Sequence, residues 1–356
     1  MDLFDASQLA RTERDAPLAA RMRPRNIDEF LGQEHILGKG RLLRRAIEAD
    51  QLSSLIFYGP PGTGKTTLAA VIANTTSSHF ISINAVLAGV ADIRSAVEDA
   101  QERHKFHSQR TILFIDEVHR LSRVVEEVLY SAMEEFFLSW VMGKGLGARS
   151  VTLRVPPFTL VGATTRYAMV SAPLRNRFGS VYRLDFYDQV AIQTLLARSA
   201  GILKVEVRQE GLEEIARRAR GTPRVANRLL KRVRDYAQVM GDGVVTGNVA
   251  LEALSKLEID AAGLDEVDHK VLSTIVQKFD GGPVGLETIA ASISEEPDTI
   301  MDVYEPYLLQ LGLLERTPRG RVATRLSYEH LGLPYKGKPD AAQRAFWSAE
   351  GGTSSQ

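Results

Sequence analysis

From Leu55 onward, short apolar runs alternate with longer stretches whose apolar residues recur at helical spacing. Leu55-Ile56-Phe57-Tyr58, Phe80-Ile81-Ser82-Ile83, Ile112-Leu113-Phe114-Ile115, Phe158-Thr159-Leu160-Val161 and Val181 to Phe186 read as strands. Segments near 65–75, 91–104 and 122–135 read as helices. Strands that are apolar nearly throughout must be covered on both faces, so the alternation predicts an α/β fold with a parallel sheet. One segment departs from it. Phe137 to Met142 and Ser150 to Val155 flank Gly143-Lys144-Gly145-Leu146-Gly147, which predicts a β-hairpin with an apolar tip inserted between a helix and the next strand. Such a tip is a candidate partner contact.

After Asp188 the pattern is helical to about 258, with Val225, Leu229, Val233, Tyr236 or Ala237 and Met240 spaced as one buried face. Asp260-Ala261-Ala262-Gly263 reads as a joint. Beyond it, helices over 264–279, 285–293 and about 296–311 precede two short strands around Arg316 to Arg321, the order of a winged helix-turn-helix. The expected organisation is a flexible arm at 1–18, a large α/β domain at 19–187, a small helical domain at 188–260, a winged helix at 261–332 and a disordered tail at 333–356.

Composition narrows the chemistry. With 356 residues, 44% apolar and 25% charged, the chain is globular and long enough for two or three domains at roughly 100 to 200 residues each. It has no cysteine, which excludes a disulfide framework, a thiolate metal site and a cysteine nucleophile. No apolar run approaches the roughly 18 to 20 residues of a membrane span, and Met1-Asp2-Leu3-Phe4-Asp5 lacks the basic start of a signal peptide, so a cytoplasmic protein without a membrane partner is expected. Lys plus Arg (44) balances Asp plus Glu (44), and only their distribution is informative. Arg217, Arg218, Arg220, Arg224, Arg228, Lys231, Arg232 and Arg234 form a run without an acid, and Arg316, Arg319, Arg321 and Arg325 a second cluster.

Gly59-Pro60-Pro61-Gly62-Thr63-Gly64-Lys65-Thr66 matches the phosphate-binding loop G-x-x-x-x-G-K-[ST], after a strand and before a helix. Gly59, Gly62 and Gly64 let backbone N–H groups turn inward around phosphates, and the helix N-terminus adds partial positive charge. Lys65 is placed to reach the β- and γ-phosphates of ATP and Thr66 to bind Mg²⁺, with Thr67 beside them. Asp116, at the end of the strand Ile112 to Ile115, is the second candidate for Mg²⁺, and Glu117 the candidate for activating water. Thr164, ending another strand, can hydrogen-bond the attacking water or the γ-phosphate. Arginines within Pro173 to Phe178 and Gly221 to Arg224 suit a hydrolase that works between subunits, because a guanidinium stabilises charge developing on the γ-phosphate.

These residues resemble an AAA+ ATPase: a P-loop NTPase core with a parallel sheet, a helical lid and a C-terminal winged helix. From about Leu113 the chain is similar to the RuvB family of Holliday-junction branch-migration motors, through Leu113 to Ser122, Val125 to Tyr130, Gly162 to Arg166, Arg218 to Gln238, Gly281 to Leu286 and Arg316 to Thr324. The resemblance implies that Arg177 is an arginine finger, Thr164 sensor 1, Arg224 sensor 2, Tyr187 a nucleotide contact, and Met22 and Arg23 the adenine-side pair. It implies that Arg316 and Arg321, with Arg319 between them, bind duplex DNA or a four-way junction. It also implies a homo-hexamer ring, a RuvA-like partner at hairpin 137–155 and a RuvC-like resolvase. Pro297 stands where the family commonly carries Arg. The first third, through Ala16 to Pro24, Gly32 to Gly38, Leu42 to Asp50 and Ala91 to Arg94, looks more like the RarA family, so the chain reads as a mosaic divided near 112. A RarA-like or clamp-loader-type remodeller and an ATP-switched DNA-binding initiator are the alternatives. A helical tetramerisation domain would mark the former, whereas the C-terminus here predicts a winged helix.

Overall fold

The computed structural model describes residues 18–142 and 149–335. The expected arm, the hairpin tip and the tail beyond 335 lie outside the described residues. Two compact units divide at Gly263 and Leu264, within one residue of the expected joint.

In the first unit, strands β1 (Leu55–Tyr58), β2 (His79–Asn84), β3 (Thr111–Asp116), β6 (Phe158–Thr164) and β7 (Ser180–Arg183) form a parallel sheet in the order β2-β3-β6-β1-β7. The central strands β1, β3 and β6 are buried almost throughout, whereas the edge strands β2 and β7 are partly open. That contrast is what cover on both faces requires. Helix α1 (Lys65–Thr75) supplies Leu68, Val71 and Ile72 to one face, against Phe57 and Phe114. Helices α2 (Val90–His107) and α3 (Arg123–Glu135) bring Ile93, Val97, Val125 and Leu129 to the other, against Ile115 and Leu160. Each such side chain contributes about 1.5–3 kcal/mol by leaving water. β4 (Phe137–Met142) and β5 (Arg149–Arg154) pair antiparallel as the expected hairpin, anchored by the buried Leu138 and Val155. The strand expected to reach Phe186 ends at Arg183, because Asp185 is bonded through its backbone to the Gln33 side chain and Tyr187 N to Gly221 O.

The same unit continues into a helical bundle, α4 (Gln189–Leu203), α5 (Gln209–Arg218), α6 (Pro223–Met240) and α7 (Gly247–Lys256). The α6 stripe keeps the expected Leu229, Val233 and Ala237 and adds Ala226 and Leu230, while Val225 is only half-buried and Met240 is 68% exposed. Part of the basic run is structural. Arg218 pairs with Glu214 at 2.6 Å and Arg220 donates Nε to Gly263 O at 2.8 Å, and both arginines are buried.

The second unit has α8 (Glu266–Ser273), α9 (Leu286–Ile293), α10 (Glu305–Gln310) and a wing of β8 (Leu314–Thr317) paired with β9 (Gly320–Ala323). The helix expected over 296–311 is regular only at its ends. Ile300–Tyr304 is a wide π-turn just before Pro306, which lacks the N–H that a regular helix would use there. A further helix, α11 (Arg325–His330), follows the wing, and Tyr335 stands edge-on to Tyr328 at 5.1 Å, so described packing runs past the expected boundary at 332.

Candidate nucleotide site

Between β1 and α1 the chain turns on glycine. Gly59, Gly62 and Gly64 take φ of 143°, 81° and 100°, which L side chains rarely adopt. A Cβ on Gly59 would lie 2.1 Å from Leu184 O, and one on Gly62 3.2 Å from the Arg224 Cβ, so the loop is closed against the β7 exit on one side and α6 on the other. Thr63, fully buried, donates Oγ1 to Pro60 O at 2.9 Å, and Tyr187 donates its hydroxyl to Thr63 O at 3.1 Å. Burial raises the Tyr187 pKa, so it stays a neutral donor. The Lys65 ammonium folds back on the loop, donating to Gly59 O at 2.9 Å and Pro60 O at 2.8 Å. Burial lowers its pKa to about 8, against the opposing pull of the Glu117 and Asp116 carboxylates.

A cavity of about 760 Å³ opens beside this loop, and its wall includes Met22, Arg23, Gly62, Gly64, Lys65, Thr66, Thr67, Asp116, Glu117, Tyr187 and Arg224. All of these are sequence-derived candidates. Arg198, Arg228 and Lys231 add further cations. Of the three carboxylates on the wall Glu29 is paired with Arg198, and the remaining cations facing Asp116 and Glu117 suit a triphosphate with a divalent ion; the Thr66 hydroxyl and Asp116 carboxylate are the hard oxygen donors Mg²⁺ prefers. Three candidates lie off the wall. Gly59 opens the loop, its carbonyl taken up by the Lys65 ammonium. Thr164 is fully buried, with Thr165 on the wall, and its Oγ1 lies 2.8 Å from His119 Nδ1. Arg177 stacks over the Tyr130 ring at 4.3 Å and donates to Glu134 at 3.1 Å and to Pro173 O at 2.8 Å.

In the winged unit, the carboxylate of Glu305, 1% exposed, receives Arg316 at 2.7 Å and Arg321 at 2.9 Å. Burial pushes its pKa up, but the two guanidiniums together hold it below the usual carboxylate range. Arg316 keeps half its side chain in solvent, Arg321 is largely covered, and Arg319 is exposed at the turn.

Family models match the whole of this architecture: "Holliday junction DNA helicase RuvB P-loop domain" over residues 22–184, "RuvB AAA lid domain" over 187–260 and "RuvB C-terminal winged helix domain" over 261–332. The Holliday junction branch migration complex subunit RuvB of Dehalococcoides mccartyi is 55% identical over 343 residues, 95% of this chain and 95% of that relative. The chain belongs to the RuvB family. The RuvB subunit of Chloroflexus aurantiacus is 52% identical over 90% of this chain and 91% of its own. The solved Thermotoga maritima RuvB Holliday junction branch migration motor is 42% identical, covers 88% of this chain and 99% of its own, and superposes with a TM-score of 0.77.

The RuvB P-loop match starts at 22 and runs through the expected seam near 112, which overturns the mosaic reading. The family model and a relative aligned over 95% of the chain both take in the first third, which packs directly on the end of the sheet. Gln33 donates to Asp185 O at 2.7 Å, and a Cβ on Gly32 would lie 2.5 Å from the Tyr187 ring. Sequence reasoning missed Gln33, His119 and Arg198. Arg198, on α4, donates to Met22 O at 2.9 Å and to Glu29 at 2.6 Å, tying the Met22–Glu29 segment to the lid. The chemistry is that of an AAA+ ATP hydrolase. Among the described residues, no helix is long and apolar enough to cross a membrane.

Proposed function

We propose that the chain is the ATP-driven motor of a Holliday-junction branch-migration complex, acting in the cytoplasm as a homo-hexamer ring that pulls duplex DNA. The relatives' names supply the junction and the complex. Inward N–H groups of the loop and Lys65, on leaving Gly59 O and Pro60 O, would hold the phosphates, while Met22, Arg23 and Tyr187 line the base side. Thr66 and Asp116 would hold Mg²⁺, which when bound neutralises phosphate charge. Glu117 takes the proton of the attacking water, and Thr165, on the wall next to the buried Thr164, is the hydroxyl placed to hold that water or the γ-phosphate. Arg224, opening α6, reports the γ-phosphate to the lid. In the winged unit, Arg316 and Arg319 meet DNA phosphates from the wing, with Arg321 beneath them. Hairpin 137–155 would seat a RuvA-like protein, and a RuvC-like resolvase would act on the same junction.

The observation that carries the reading is the place of Arg177. Its guanidinium is held on Tyr130 and Glu134, off the wall of its own cavity, so it serves the pocket of a neighbouring subunit. The test mixes Arg177→Ala with Lys65→Ala. Each alone loses turnover, on the order of a thousandfold for the finger. A mixture regains part of it, since a Lys65→Ala subunit lends an intact finger to an intact pocket. If no mixing ratio restores phosphate release, the shared site is wrong.

A further inference from the structure

The wing places two like charges face to face. β8 and β9 pair with Arg316 directly opposite Arg321, an arrangement that repulsion disfavours. The Arg321 backbone is fixed, since it exchanges both of its hydrogen bonds with Val284, donating at 2.8 Å and accepting at 2.9 Å. What allows the pair is Glu305, which brings its carboxylate from the start of α10 with 1% of its side chain exposed. Its Oε1 accepts from Nε of Arg316 at 3.1 Å and from Nε of Arg321 at 2.9 Å. Its Oε2 accepts from Nη2 of Arg316 at 2.7 Å and from Nη2 of Arg321 at 3.1 Å. Four such bonds fill the acceptor capacity of an ionised carboxylate.

The two guanidiniums differ in what they have left over. Arg321, with 16% of its side chain exposed, is a strut that braces the carboxylate, whereas Arg316 keeps 53% in solvent. Arg316 spends Nε–H and one Nη2–H on Glu305. Its other three donors include the fork at the far end of the guanidinium, formed by Nη1 and Nη2, whose spacing matches two oxygens of one phosphate. An untethered surface arginine gives up rotamer freedom when it grips a ligand. Arg316 has given up that freedom on folding.

We propose that Glu305 is a positioning residue for DNA binding: braced by Arg321, it holds the Arg316 guanidinium still at the wing and leaves its free fork to a backbone phosphate. This rests on the reading of the wing as the part that meets DNA. It predicts a sign that charge alone does not. Removing a negative group beside the contact would by itself tighten binding to a polyanion. Glu305→Gln keeps the shape but sets an amide N–H₂ against the guanidiniums, so it should instead weaken binding.

The test measures duplex affinity of the full chain by fluorescence anisotropy at one fixed salt concentration. Glu305→Gln should lose about three- to tenfold, the cost of ordering Arg316 at the moment of binding. Arg316→Ala should cost about tenfold in the wild-type chain and no more than about threefold in the Glu305→Gln background. Arg319→Ala, outside the cluster, should cost the same factor in both, which a wing merely damaged by Glu305→Gln would not show. Arg316→Lys keeps the charge as a single point donor and should lose nearly as much as Arg316→Ala, whereas Arg319→Lys should lose little. Unchanged or tighter binding by Glu305→Gln, an equal cost of Arg316→Ala in both backgrounds, or an Arg316→Lys chain that binds like wild type would each overturn the positioning role. If Glu305→Gln fails to fold, or abolishes the effect of Arg319→Ala, the two lysine variants decide the matter alone. If Arg316→Ala and Arg319→Ala both leave affinity and its salt dependence unchanged, the reading of the wing falls, and the role of Glu305 with it.

Discussion

Lys65 is buried with its ammonium turned onto two carbonyls of its own loop, and its pKa lies at about 8. A triphosphate binds the charged form. Below that pH the free site already holds the proton; above it, binding must take one up. Nucleotide affinity should therefore fall as pH rises through about 8, approaching tenfold per unit. Titration of a non-hydrolysable analogue between about pH 7 and pH 9.5 should show the fall, and Lys65→Arg, which keeps its charge across that range, should flatten it. The loop itself was legible because its members are neighbours in the chain and each glycine has one steric job. His119, Arg198 and Gln33 were not, because their partners lie 45, 176 and 152 residues away, and no local pattern encodes such a meeting.

At the scale of elements, the central strands could be read directly from their continuous apolar runs, since only burial on both faces tolerates them. The misses have local causes. Pro306 inside an otherwise helical pattern opens the wide turn at Ile300–Tyr304, and the α6 stripe, buried as expected at Leu229, Val233 and Ala237, stops short of Met240 in the last turn. The wing depends on a group whose importance its position in the chain does not reveal. Glu305 at the start of α10 receives arginines from both β8 and β9. Because its folded pKa is lowered, its contribution is complete above the ordinary glutamate range and is lost as pH falls through the lower folded value. Glu305→Gln should destabilise the winged unit by on the order of 2 kcal/mol at neutral pH, less than a fully buried pair because Arg316 is half in solvent. It should also remove part of the acid sensitivity. Calorimetry of the full chain between about pH 3 and pH 7 measures both.

For the whole molecule, the balance of 44 basic and 44 acidic residues hides a division of labour. Arg224, Arg228 and Lys231 from the basic run face the nucleotide cavity, Arg218 and Arg220 brace the lid, and the wing keeps its own arginines. A motor that tracks a duplex by its phosphates should bind it with steep dependence on salt and little on sequence. Fluorescence anisotropy with unrelated duplexes should give the same affinity, falling by about 0.9 log unit per log unit of salt for each phosphate contacted. Arg319→Ala should lower that slope by about one without creating sequence preference. Affinity indifferent to salt would contradict the proposed wing contacts.

The tight fit of Gly32 beneath the Tyr187 ring constrains how such a molecule can change over generations. Any side chain at 32 would strike the aromatic, so a larger residue there could be admitted only by a smaller one at 187 in the strap beyond β7.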